Sequence, residues 1–271
     1  MIFILPYLVF MVAVFLLPLG QVGYYSFGGG ETEATLSFYE SALTGKLYST
    51  VLYTTLEISI TVALFTLLLA YPVAYHLARL SPRKRAITAT LVLLPFYTSI
   101  LVKSFAFTII LGTNGLVNEL LRAASASPEL TVKLLFNRAG VVIGLTHYLI
   151  PFMVFPILSS LLAQNPLLHK AAEVMGASRT RIFWRVTFPL SLPGVLAGVL
   201  LCVILSMGMF ITPALLGGRK DMMMANLVDF HVRETLDWPM ASAVAVVLLL
   251  ISAVFIIALA RVRGGQLFGE R

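Results

Sequence analysis

Apolar runs with almost no charge recur six times along the chain, over residues 2–19, 49–78, 86–111, 139–163, 192–216 and 240–260. Short polar stretches separate them. A helix rises about 1.5 Å per residue and the hydrocarbon core of a bilayer is about 30 Å thick, so each run predicts one membrane-spanning helix. Helices satisfy their own backbone groups, which lipid cannot do for them. The expected fold class is an all-α integral membrane protein, one domain of six transmembrane helices over residues 1–271. An even number of spans puts both termini on one side.

The first run is not read as a signal peptide. It lacks a basic start and extends to Leu19, longer than a cleavable apolar core. The missing basic start is also what a chain beginning upstream of Met1 would show.

Orientation follows from Lys and Arg in the short connections. One side holds 11: Arg79, Arg83, Lys84, Arg85, Lys170, Arg179, Arg181, Arg185, Arg261, Arg263 and Arg271. The other holds seven: Lys46, Arg122, Lys133, Arg138, Arg219, Lys220 and Arg233. The richer side is expected to be cytoplasmic, with both termini, in a multi-pass protein of the bacterial inner membrane. The outer loops carry nine acids (Glu31, Glu33, Glu40, Glu119, Glu129, Asp221, Asp229, Glu234 and Asp237) against those seven bases, too slight an excess for electrostatic steering.

Composition agrees with lipid as the solvent: 59% of residues are hydrophobic, 11% are charged, and the mean hydropathy is +0.95. A soluble domain runs near 25% charged. The net charge of +7 is confined to loops, which argues against nucleic acid as a partner. Cys202, the single cysteine, lies in an apolar run and is read as a packing residue. The four histidines lack the spacing of a zinc site, and no phosphate-binding loop occurs. The expectation is no catalytic residue, no metal and no cofactor on this chain.

Two charges fall inside the runs, Glu57 and Lys103. An ionisable side chain in the membrane suggests function; one near an interface simply snorkels to water. Both readings stand for each residue. Gly194 and Gly198 form a small-xxx-small pair that allows close helix approach.

The longest cytoplasmic segment is the loop at 164–191. Pro166 suits a first helical turn, and Leu168, Ala171, Ala172 and Met175 recur at helical spacing. Gly176 ends that helix in the left-handed conformation. Ser178 caps a second helix on which Ile182, Phe183 and Val186 share a face while Arg181 and Arg185 lie one turn apart. Pro189 and Pro193 are expected to stop it before the membrane. The result is a helical knob outside the bilayer.

This loop resembles the "EAA" motif of the permeases of binding-protein-dependent ABC importers: Glu-Ala-Ala, three residues, Gly, and later Leu-Pro and Pro-Gly. Ala171, Ala172, Gly176, Ala177, Phe183, Pro189, Pro193 and Gly194 match, whereas Lys170 stands in place of the usual Glu, with Glu173 one turn away. Tyr71-Pro72-Val73-Ala74-Tyr75, Leu94-Pro95-Phe96-Tyr97-Thr98-Ser99 with Lys103, Gly144-Leu145-Thr146-His147 and Thr212-Pro213-Ala214-Leu215-Leu216-Gly217-Gly218 extend the likeness to the spermidine/putrescine-type subfamily, in particular to the first of its two permease subunits.

The resemblance implies the type I ABC importer permease (MetI-like) fold. It also implies two ATPase subunits carrying ATP and Mg, a second related permease, and a soluble substrate-binding protein outside the membrane. It makes the loop a coupling helix, with Lys170, Ala171, Ala172, Glu173, Gly176, Ala177, Arg179 and Arg181 at the ATPase. Tyr97, Thr98, Ser99, Lys103, His147, Ser206 and Thr212 supply polar groups on apolar spans and are the candidate substrate path. A polyamine-like cargo is favoured on resemblance, with an opine, phosphonate, thiamine or ferric ion as alternatives. A secondary transporter coupled through Glu57 is the competing class; a membrane enzyme or scaffold would leave the knob unexplained.

Overall fold

The structure, a computed structural model, describes residues 5–29, 36–124 and 131–267, and all the elements among them are helical. They are α1 (Leu5–Met11), α2 (Leu17–Tyr25), α3 (Ser37–Thr44), α4 (Lys46–Arg79), α5 (Pro82–Tyr97), α6 (Ile100–Ile110), α7 (Leu116–Ala124), α8 (Arg138–Leu162), α9 (Pro166–Val174), α10 (Arg179–Ile182), α11 (Phe188–Met207), α12 (Ile211–Leu216), α13 (Met224–Arg233) and α14 (Trp238–Leu267). π turns at Val12–Leu16 and Phe183–Thr187 join α1 to α2 and α10 to α11. Residues 2–4 of the first apolar run, the acids Glu31, Glu33 and Glu129 and the base Arg271 lie outside the described residues.

Among the described residues, four helices are long and apolar enough to cross a membrane: Lys46–Arg79, Arg138–Leu162, Arg179–Met207 and Trp238–Ile257. The pair α5 and α6 makes a fifth if counted as one bent span, and Val9–Tyr25 is a shorter apolar helix.

The third run is not the continuous helix its hydropathy suggests: α5 and α6 meet at 87°. Pro95 removes a backbone donor near the end of α5, and Thr98 and Ser99 are extended, with ψ of 145° and 134°. The fifth run also divides. α11 ends at Met207 with Gly208 as its cap, and α12 starts afresh, placing Pro213 in a first turn where no N–H is needed.

The second helix of the loop is not stopped by Pro189 or Pro193, contrary to expectation. It runs on through the π turn into the membrane as one helix, Arg179–Met207, of 29 residues. In the π turn the Phe188 N–H bonds the Phe183 carbonyl five residues back. The ladder is thus already shifted at the point where Pro189 has no hydrogen to give.

Contacts divide the chain into two compact units. The first comprises Met1–Thr55 and Met222–Ala253, and its core gathers Ala42, Val51, Met224, Leu227, Val244 and Val247. The Met224 N–H donates to Thr55 Oγ1 at 2.9 Å, fixing the start of α13 against α4. At the other end of α13, His231 stacks on Tyr48 with ring centroids 5.9 Å apart. The Thr235 hydroxyl donates to the His231 carbonyl (3.2 Å), so its lone pair takes the Nδ1 proton (3.1 Å). Nε2 then accepts from the Tyr48 hydroxyl at 3.1 Å, a set satisfied by the neutral imidazole.

The second unit, Leu56–Asp221 and Val254–Arg271, is built on α8 packed along α11. A methyl group at Gly194 would sit 2.5 Å from the Pro156 carbonyl, and one at Gly198 would sit 2.6 Å from Met153 Sδ. The small-xxx-small pair therefore sets how closely these helices approach. Cys202 is fully buried on the same face.

Candidate functional site

The loop between α8 and α11 is built by local rules. Asn165 caps α9 by accepting from the Leu167 N–H at 2.9 Å, and Pro166 occupies the first turn. At the other end the Gly176 N–H bonds Glu173 O (2.9 Å) and the Ala177 N–H bonds Ala172 O (3.0 Å). This paired closure requires the left-handed φ of 77° found at Gly176. Ser178 then caps α10 through the Arg181 N–H at 3.4 Å. Two side-chain bonds lash the knob to the start of the membrane helix: His169 Nε2 to Thr187 Oγ1 (3.1 Å) and Gln164 Nε2 to Thr187 O (2.9 Å). Sequence reasoning missed these anchors. The parts it did find, Pro166, Gly176 and Ser178, each carry a local signal, whereas these anchors join residues 18 and 23 positions apart.

The faces of α9 are divided by chemistry. Leu167, Leu168, Val174 and Met175 are exposed, Val174 at 88% and Met175 at 86%. An amphipathic helix ordinarily buries such a stripe; here it is displayed. Ala171, Gly176, Arg179 and Arg181 are also exposed, and Ala172 and Ala177 are half-buried. Lys170 and Glu173 share the opposite face with His169 and line a cleft toward Tyr75 and Arg79 of α4.

The candidate path residues fall into two groups. Tyr97, Thr98 and Ser99 are exposed at the α5–α6 break. Lys103, one turn into α6, folds back across it, donating to the Pro95 carbonyl at 2.7 Å with Nζ 4.7 Å from the Tyr148 ring centre. Thr98 donates to that same carbonyl at 2.8 Å. One α6 turn further on, Phe107 meets His147 of α8 edge-on, ring centroids 5.3 Å apart. His147 Nδ1 and the neighbouring Thr146 hydroxyl are buried and find no partner among the described residues. Both residues line an apolar cavity of about 500 Å³. Ser206 and Thr212, by contrast, are buried and engaged within the chain. Ser206 bonds Val203 O at 3.0 Å, and Thr212 bonds Ser104 at 3.2 Å.

Glu57 is not an isolated membrane carboxylate. Arg138, at the start of α8, pairs with Glu57 of α4 and reaches Asp221 Oδ1 at 3.2 Å, while Asp221 Oδ2 accepts from the Gly218 N–H at 3.1 Å. A carboxylate held by an arginine is poorly suited to reversible ion coupling. No sequence signal gave this triad, whose members are brought together from three segments.

Comparison with known proteins agrees with the geometry. Residues 63–263 match the family model described as "Binding-protein-dependent transport system inner membrane component". The spermidine/putrescine transport system permease protein PotB of Escherichia coli (strain K12) is 33% identical over 223 residues, covering 82% of this chain and 80% of that protein. PotB of Haemophilus influenzae is 33% identical over 212 residues, 78% of this chain and 73% of that protein. Among solved structures, a chain of the bacterial alginate ABC transporter in complex with an alginate pentasaccharide-bound periplasmic protein superposes with a TM-score of 0.73 at 17% identity, over 95% of this chain and 91% of that one. With its all-helical fold, its spans and its capped loop accounted for, the chain belongs to the family of inner membrane permease components of binding-protein-dependent ABC importers, which sets aside the secondary-transporter reading.

Proposed function

We propose that this chain is the first of two different permease subunits of an ATP-driven importer that carries polyamine-like cations inward from a soluble binding protein. The observation that carries the reading is the loop at 164–191: a capped helix and a glycine turn presenting an exposed apolar stripe at Leu167, Val174 and Met175, lashed to a membrane helix. Both termini and this loop face the cytoplasm, following the excess of Lys and Arg. ATP and Mg act on two partner ATPase subunits, each coupling loop engaging one of them. The cargo crosses between the two permeases, past the α5–α6 break and His147. Spermidine and putrescine are favoured because they are the cargo named for the 33%-identical relatives.

One observation favours a second cargo class. Lys103 holds its charge at the break, where it repels a cation and attracts an anion. The test is ATP-dependent uptake of labelled spermidine by proteoliposomes holding the whole assembly and its binding protein. No uptake of spermidine by an assembly that does take up an anionic solute would overturn the polyamine reading. A purified assembly with two copies of this chain and no second permease would overturn the pairing.

A further inference from the structure

We propose that the cleft behind the coupling loop holds the headgroup of an anionic phospholipid of the inner leaflet. The cleft has a volume of about 640 Å³ and lies entirely within the second unit. Its depth is set by the helices that form it. Tyr75 and Arg79 belong to the last turn of α4, Leu161 and Leu162 to the last turn of α8, and Ile182 and Phe183 to the helix that enters the membrane as α11. It therefore opens where spanning helices end, at headgroup level. Trp184, 59% exposed beside it, is the kind of residue that settles at that boundary.

The chemistry of the cleft matches a phosphodiester with acyl chains attached. Arg79, Lys170 and Arg179 line it against one acid, Glu173, and among the described residues none of these bases is in an ion pair. Arg79 is pre-positioned, its guanidinium 4.1 Å from the Tyr75 ring centre and bonded to the Tyr75 hydroxyl. Arg forks bind phosphate oxygens in pairs, and basic pockets between membrane helices on the cytoplasmic side suit such headgroups. The floor is apolar, through Leu161, Leu162, Ile182 and Phe183. An acidic peptide from the ATPase would press carboxylates against that floor, whereas a lipid lays its glycerol and chains there. On this proposal Lys170, Glu173 and Arg179, which the family resemblance puts at the ATPase, face the lipid, and the ATPase is left the opposite, apolar face of α9. This inference rests on the cytoplasmic placement of the loop given under Proposed function.

The test uses the whole assembly extracted in mild detergent and washed, with retained lipid identified by mass spectrometry and ATPase content measured in the same sample. Wild type retains phosphatidylglycerol in preference to phosphatidylethanolamine. Arg79→Gln retains about fivefold less, the equivalent of about 1 kcal/mol for one base at a charged headgroup. Arg79→Lys keeps most of it, and ATPase content stays unchanged in both. Equal phosphatidylglycerol in wild type and Arg79→Gln would overturn the proposal. So would displacement of the lipid by inorganic phosphate, which would mark a site for free anions, or loss of the ATPase together with the lipid, which would assign the cleft to the ATPase. An ATPase absent even from wild type would count against the coupling-loop reading instead.

Discussion

Two glycines in the second unit do opposite work. Gly176 has φ of 77° with nothing within 4 Å of where a methyl group would stand, so its role is purely conformational, whereas Gly198 has no room because Met153 Sδ would lie 2.6 Å away. A β-branched residue at Gly176 disfavours the left-handed conformation by about 1 to 2 kcal/mol, so the exposed turn that shapes the knob reopens locally and the strain does not reach the membrane helices. Gly176→Val is therefore expected to leave thermal stability of the isolated subunit close to wild type while abolishing substrate-stimulated ATPase activity of the assembly. Gly198→Val should do the reverse, lowering stability by about 1 to 3 kcal/mol through overpacking. Thermal melts beside ATPase assays separate the two; a coupled, active Gly176→Val assembly would contradict the role given to the turn. Gly176 was legible in the sequence, because a helix stop needs only local spacing. The position of Lys103 was not, since its partner carbonyl at Pro95 lies eight residues back across an 87° bend.

The apolar runs at 49–78 and 139–163 coincide to within a few residues with α4 and α8, because lipid acts on every side chain of a span at once, whereas the run at 192–216 is displaced by about ten residues from the helix Arg179–Met207. Hydropathy missed the interruptions. A proline can break a helix, as near Pro95, or be absorbed by a π turn, as at Pro189, and which outcome holds depends on packing that no local window contains. In the first unit, α13 holds a buried titratable group, His231, against Tyr48 and Thr235. Burial pushes the His231 imidazole below its ordinary range, while Asp237 acts in the opposite direction with less effect. The folded unit thus binds that proton more weakly than the unfolded chain. Stability is full above the ordinary histidine range near 6.5 and is lost as pH falls through it toward the lower folded value. Thermal melts of the purified protein from pH 7.5 to pH 5 should show a decline that His231→Gln largely removes. The same decline in the variant would assign it to other groups.

At the scale of the whole molecule, much of the apolar surface is left uncovered by the chain itself. The shares of the apolar windows buried within this chain are 39% in α4, 56% in α8, 39% in Arg179–Met207 and 33% in Trp238–Ile257, leaving broad faces for lipid or for a second permease. The unbroken helix from Arg179 to Met207 begins at the coupling turn and is about 44 Å long at about 1.5 Å per residue. Under the proposed coupling, a stiff rod of that length would act as a crank. Tilting one end of such a rod is the same event as tilting the other, and a rotation of about 10° about one end carries the other through about 8 Å. Replacing Arg185 and Val186 with glycine should soften the rod at its π turn while keeping the Thr187 anchor, leaving ATP hydrolysis near wild type and cutting transport several-fold. Equal losses of both would mean that the rod does not transmit the motion. Under the proposed coupling, an intact rod carries ATPase opening and closing to the path as a stroke of fixed geometry, with its throw set by helix length.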